Sequence, residues 1–159
     1  KLRGEEITES SGLPFLILRT DQPYTTVEPW QKKNSVLRVL EKFKKGDIVK
    51  ELTDWWNTPT YVENFIEVSA NLIKNNKNGI YNIVGPDFLS RYEWAFKIAD
   101  VFGLDKKMIH RMTSDELNLP AKRANVHLDN TKAQKESGIK LFGVEEGMKL
   151  MRLQISAGI

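Results

Sequence analysis

The order of apolar and polar positions predicts helices and strands in alternation. Residues 1–12 (KLRGEEITESSG) read as a helix stopped by Gly12, a residue suited to the left-handed turn that ends helices. Residues 13–18 (LPFLIL) form an almost continuous apolar run closed by Arg19 and Thr20, the pattern of a strand buried on both faces of a parallel sheet. From Gln31 the period changes: Val36, Val39, Leu40 and Phe43 fall at helical spacing, and Lys44, Lys45 and Gly46 close the segment. Residues 48–52 (IVKEL) predict a short strand. Residues 54–60 (DWWNTPT) then form a loop into a helix capped by Thr58, with Pro59 in its first turn. Val62, Phe65, Ile66, Ser69 and Ile73 mark the expected inner face of that helix, and Asn78 and Gly79 end it. Residues 80–84 (IYNIV) form a second buried strand before Gly85 and Pro86.

Ser90 and Glu93 then have the spacing of a capping box. Ala95, Ile98, Ala99 and Phe102 supply an apolar face, and Gly103 is the stop. Residues 108–112 (MIHRM) predict a short strand, 113–117 (TSDEL) a helical turn and 129–137 a short helix. Val144, Met148, Met151 and Ile155 predict a final amphipathic helix. No internal repeat, low-complexity segment or long linker interrupts this order.

Composition narrows the function classes. With 159 residues, 40% hydrophobic and 28% charged, residues 1–159 suit a single globular unit able to bury a sizeable core. The net charge of +3, from 24 basic and 21 acidic residues without a basic block, argues against a nucleic-acid partner. There is no cysteine, so disulfides and thiolate metal sites are excluded, and a reducing, cytoplasmic location is expected. His110 and His127 have no partner at metal-ligand or triad spacing, so no metal is expected. The apolar runs fall far short of the roughly 20 residues that cross a bilayer. The first residue is Lys1 and no signal-peptide pattern follows, so the chain is expected to begin within a longer sequence.

Five stretches in order carry a family resemblance: KLRGEE (1–6), LILRT (16–20), NTPTYVENF (57–65), GIYNIVGPDFLSRYEWAFKIADVFGLD (79–105), and LD (128–129) followed by a helix. Together they resemble the second half of the dTDP-4-dehydrorhamnose reductases and their relatives in the extended short-chain dehydrogenase/reductase superfamily. That superfamily carries a Tyr-x-x-x-Lys pair, and in this branch the lysine is commonly followed by Leu-x-Gly-Glu, which Lys1, Leu2, Gly4 and Glu5 match. The resemblance makes Lys1 the catalytic and ribose-binding lysine, with its tyrosine four residues upstream; the alternative is an exposed terminal lysine. Tyrosine and lysine at i and i+4 share a helix face, so the ammonium lowers the pKa of the tyrosine that protonates the sugar carbonyl.

The resemblance also implies that the loop after the first strand runs between nicotinamide and sugar. Thr20 is then a cofactor-binding candidate, and Asp21, Gln22 and Tyr24 are substrate-binding candidates, unless the loop is a polar connection turned by Pro23. The family often has an aromatic residue where Gln22 stands. Asn34 matches an asparagine that faces the nucleotide, or serves as a helix cap. Trp55 and Trp56 either pack on the next helix or stack on a base or sugar. The family's Arg-Pro pair near the phosphates is matched imperfectly by Lys122, Arg123 and Ala124, one residue short of the expected spacing to Leu128. Arg123 is the better diphosphate ligand of the two cations, and a solvated basic pair is the alternative.

The implied fold is α/β: the last strands and helices of a Rossmann-type parallel sheet with a small mixed α/β substrate-binding lobe. Residues 1–30 and 79–103 fall on the Rossmann side, and 31–78 and 104–159 largely in the lobe. The implied activity belongs to a larger parent that uses NADPH or NADH to reduce the 4-keto group of a nucleotide-activated deoxysugar. Neighbouring epimerases or dehydratases, or a non-catalytic binding protein of the same fold, are the alternatives. No Gly-x-Gly-x-x-Gly loop occurs, so tight dinucleotide binding by this chain alone is not expected. Expected partners are a nucleotide sugar and either the amino-terminal half of the parent or a second copy as a homodimer. Exposed apolar side chains are expected around Phe15, Ile17, Tyr81 and Ile83.

Overall fold

Residues 1–117, 120, 121 and 123–157, which the computed structural model describes, form short strands connected by helices. In chain order they are α1 (Leu2–Ser10), β1 (Leu16–Arg19), β2 (Pro23–Tyr24), α2 (Ser35–Lys45), β3 (Val49–Leu52), β4 (Trp56–Asn57) and β5 (Thr60–Tyr61). There follow α3 (Val62–Lys74), β6 (Gly79–Asn82), β7 (Leu89–Ser90), α4 (Arg91–Phe102), β8 (Ile109–Met112), α5 (Thr131–Ser137) and α6 (Val144–Ala157). β1 and β6 are parallel, with Leu16 opposite Gly79 and Arg19 opposite Asn82. The pairs β2–β5 and β3–β8 are also parallel, whereas β4–β7 is antiparallel. The fold is therefore α/β with parallel strands, as the alternating pattern predicts.

Two apolar cores hold these elements. One gathers Val36 and Val39 of α2, Trp94 and Ile98 of α4, and Met148 and Met151 of α6, with β2, β3, β5 and β8 beneath. The other gathers Val68 and Leu72 of α3, Tyr81 of β6, Ile83, Ala133 of α5 and Leu141. This second core corrects one expectation. Tyr81 and Ile83 are 1% and 0% exposed, because α3 and α5 of this same chain already cover β6, while Phe15 and Ile17 are half-buried. The exposed apolar side chains instead include Leu2 and Ile7 of α1 and Leu13 on the approach to β1. Among the described residues β1 pairs with β6 alone, which leaves its other edge free.

Local signals explain most helix ends. Asn34 caps α2, its Oδ1 accepting from the N–H groups of Val36 and Leu37, and Gly46 closes it at φ 73°. Ser90 and Glu93 form the predicted capping box on α4. For α3 the expectation fails twice. Its cap position is Tyr61; Thr58 instead donates its hydroxyl to the Val126 carbonyl at 2.7 Å and accepts from the Leu128 N–H at 3.2 Å. Its inner face is Asn64, Val68 and Leu72, and Ile66 and Ile73 point outward at 58% and 62% exposure. Asn64 turns inward because its amide donates to the Lys140 carbonyl (3.1 Å) and accepts from the Phe142 N–H (2.8 Å), satisfying backbone that would otherwise be buried unpaired.

Three stretches of chain converge at Gly85. Its N–H donates to the Pro59 carbonyl at 3.0 Å, and a Cβ there would lie 2.7 Å from that oxygen and 2.8 Å from the Phe142 oxygen. Among the described residues no helix is long and apolar enough to cross a membrane.

Candidate functional site

β1 delivers the chain to the carboxyl end of the parallel strands, where open α/β sheets place their ligands. The next residues are held tightly. Thr20 donates its hydroxyl to Thr60 Oγ1 at 2.9 Å, Thr60 donates to the Asp21 carbonyl at 2.9 Å, and the Thr58 N–H donates to the Asp21 carboxylate at 2.9 Å. Burial pushes the Asp21 carboxyl above its ordinary range, an effect the Thr58 amide offsets only in part. Gln22 follows at φ 42°, a left-handed backbone that side chains other than glycine rarely adopt.

Beyond this turn lies a cleft of about 670 Å³. Lys32 and Lys33 stand at its rim before α2, and Arg38 and Lys42 project from α2. β3 contributes Lys50 and Glu51, and Arg91 and Arg123 complete the charged wall. Glu51 is the one carboxylate among the described lining residues, so the cleft is strongly cationic and suited to an anion.

Arg91 forms the floor. It is 3% exposed, its Nε lies 3.6 Å from Glu51 Oε2, and its Nη1 donates to Gln22 Oε1 at 3.3 Å. The guanidinium carbon sits 4.9 Å from the Trp94 ring centre and 5.5 Å from that of Trp55. Burial lowers its pKa and Glu51 raises it, but an arginine remains cationic through any such balance. Its Nε has no hydrogen-bond partner among the described residues. The Arg123 guanidinium carbon also lies over the Trp55 ring, 4.3 Å from its centre, and the Trp55 indole N–H donates to the Ala124 carbonyl at 3.2 Å.

A second cleft of about 430 Å³ opens beside β1, lined by Lys1, Gly4, Thr8, Ile17, Arg19 and Thr20 among others. Glu5 and Arg19 form an ion pair in its wall, and the hydrogen bond from Arg19 holds the Glu5 carboxyl below the usual range.

The residues singled out from sequence divide between these clefts. Lys1 and Thr20 share the second; Gln22, Asn34 and Arg123 share the first; Asp21 joins the two groups in the chain. Asn34 lines its cleft with an amide already committed to the backbone, since Nδ2 donates to the Thr25 carbonyl at 2.5 Å while Oδ1 caps α2. Tyr24 reaches neither cleft. β2 alternates Pro23 outward and Tyr24 inward, and Tyr24 is fully buried against Tyr61 and Trp94, with ring centres 5.7 and 5.6 Å away. Its hydroxyl donates to the Val144 carbonyl at 3.5 Å, and burial pushes its pKa up. Lys122 lies outside the described residues. Of the residues sequence reading missed, Arg91 is the most deeply placed. The available signal was its position, a cation in the first turn of a capped helix, where the helix dipole favours an acid.

Residues 1–155 match the family described as the RmlD substrate binding domain. Among solved structures, a dTDP-4-dehydrorhamnose reductase from Clostridium acetobutylicum superposes with a TM-score of 0.84 at 24% identity, covering 98% of this chain and 54% of that one. The dTDP-4-dehydrorhamnose reductase from Bacillus anthracis, solved in complex with NADP, gives 0.82 at 19% identity, with 97% and 53% coverage. The UDP-glucose 4-epimerase from Thermotoga maritima, solved with UDP-glucose, gives 0.69 at 19% identity, with 99% and 50% coverage. The chain thus spans about half the length of these structures, and at such identities the likeness is one of fold. No curated protein matches the chain.

Proposed function

Because the chain belongs to the RmlD substrate binding domain family, we propose that it is the nucleotide-sugar-binding half of a reductase that acts on the 4-keto group of a nucleotide-activated deoxysugar. The observation that carries this reading is the cationic cleft at the carboxyl end of β1, open beside the cleft that holds Lys1 and Thr20. A diphosphate suits the first cleft, because Arg38 and Arg123 present planar donor forks to phosphate oxygens and the lysines add point charges. The second cleft fits one end of a nicotinamide cofactor, NADPH or NADH. Lys1 and Thr20 would hold the nicotinamide ribose, whereas no glycine-rich pyrophosphate loop occurs in this sequence. The cofactor, when bound, supplies hydride. The Lys1 ammonium would also lower the pKa of a tyrosine one helical turn upstream, the acid for the carbonyl oxygen. On this reading β1 and β6, with α3 and α5 in their shared core, face the cofactor, whereas α4, although within residues 79–103, joins α2 and β3 around the sugar nucleotide.

The test is calorimetric titration of the full-length protein with dTDP-glucose and UDP-glucose. Arg123→Ala is expected to weaken binding of the preferred ligand by roughly 1.5–3 kcal/mol, the range for a lost charge-assisted hydrogen bond. An affinity unchanged by this substitution would remove Arg123 from the site.

A further inference from the structure

We propose that Gln22 reads an oxygen of the sugar and that Arg91 is the positioning residue that aims it; the inference rests on the nucleotide-sugar reading above. Gln22 is half-buried in the cationic cleft at a left-handed φ of 42°, a conformation that persists only where the surroundings enforce it. Its carbonyl accepts from the Thr60 N–H at 3.4 Å, and its Oε1 accepts from Arg91 Nη1 at 3.3 Å and from the Ser35 hydroxyl at 3.4 Å. A guanidinium has donors and no acceptor, so the carboxamide must turn its oxygen toward Arg91. The NH2 group is thereby turned away from Arg91, and it donates to no protein group among the described residues. Arg91 has no freedom to release it, being 3% exposed between the Trp55 and Trp94 rings and held near Glu51.

Location decides which part of the ligand meets this donor. Thr20 lines the cofactor-side cleft and Gln22 the cationic one, with Asp21 alone between them in the chain. The amide therefore stands at the junction of the two clefts, where the hydride-accepting part of the substrate must lie, and that part is the sugar. The other cations of the cleft, Arg38 and Arg123 with the lysines, serve the phosphates, and an uncharged donor suits a hydroxyl or keto oxygen.

The experiment compares affinities of the full-length protein for dTDP and dTDP-glucose, and for UDP and UDP-glucose, by calorimetry. The readout is the ratio of sugar-bearing to bare diphosphate affinity, which cancels general losses of charge or stability. Gln22→Leu is expected to lower that ratio roughly 3- to 10-fold, the size of one hydrogen bond. Arg91→Leu is expected to lower it by a similar factor in the parent but not in a Gln22→Leu background. Arg91→Lys, which keeps a buried donor for Oε1 and serves if the leucine variant does not fold, is expected to restore most of the ratio. A ratio unmoved by Gln22→Leu, while the bare diphosphate still binds, overturns the inference and leaves the nucleotide-sugar reading standing. A ratio unmoved by Arg91→Leu while both affinities fall makes Arg91 a simple charge and overturns its positioning role. If none of the four probes binds the parent, the nucleotide-sugar reading falls and takes the inference with it.

Discussion

Asp21 is placed where burial works against its charge, and the consequence is a pH dependence with a definite sign. Its folded-state pKa is raised, chiefly by burial, above the ordinary value of an unfolded aspartate. The group's contribution to stability is therefore fully present below the unfolded value and is lost as pH rises through the raised folded one. Asp21→Asn keeps an acceptor for the Thr58 N–H and does not ionise, so its stability relative to the parent should improve from about pH 3 to about pH 7. Urea midpoints measured across that interval check this, and a constant difference would contradict it. At this scale the sequence was informative wherever a residue's position in the strand-end loop determined its surroundings, as for Thr20 and Gln22. It misled at Tyr24, because β2 is two residues long and leaves no alternation to show which side chain turns inward. Arg91 escaped notice because its partners, Glu51 and Gln22, are 40 and 69 residues away along the chain.

Among the elements, α6 approaches the β2–β5 pair more closely than any side chain at its contact point would permit. The space a Cβ of Gly147 would need is taken by the Tyr24 hydroxyl and by Tyr61, whose Cβ would lie 2.9 Å away. Helix propensity alone favours Gly147→Ala by about 1 kcal/mol, whereas overpacking a core contact costs about 1–3 kcal/mol. The variant is expected to be less stable in chemical denaturation, and the loss to shrink in a Tyr24→Phe background that removes the obstructing oxygen. A stabilised Gly147→Ala would show that α6 is free to shift. The elements that sequence located well, α2 and α4, carry their own caps and stops within a few residues. The face of α3 was misread because Asn64 turns inward to serve the backbone at 140 and 142, a demand set by distant chain. The β4–β7 pairing, of two residues each, is too short for any period to show.

At the scale of the whole molecule, β1 keeps one edge unpaired among the described residues, and the chain just before it exposes apolar side chains. Leu2, Ile7 and Leu13 are 68%, 63% and 69% exposed, and β1 has no second neighbour among the described residues. Surfaces of this kind mark contacts with other protein. The isolated 159-residue chain should therefore associate with itself as its concentration rises, as read by sedimentation, and Ile7→Lys should reduce the association. A chain that stays monomeric throughout would contradict the assignment of this face. Sequence placed the exposed surface at Phe15, Ile17, Tyr81 and Ile83 instead, because the apolar run at 80–84 marks a buried strand without showing that α3 and α5 of this chain cover it. The meeting of three chain segments at Gly85 has a consequence in heredity. Every missense change in its codon adds a Cβ where the Pro59 and Phe142 oxygens leave no room. Lineages descended from this gene should thus record drift at codon 85 almost wholly as silent third-base substitutions.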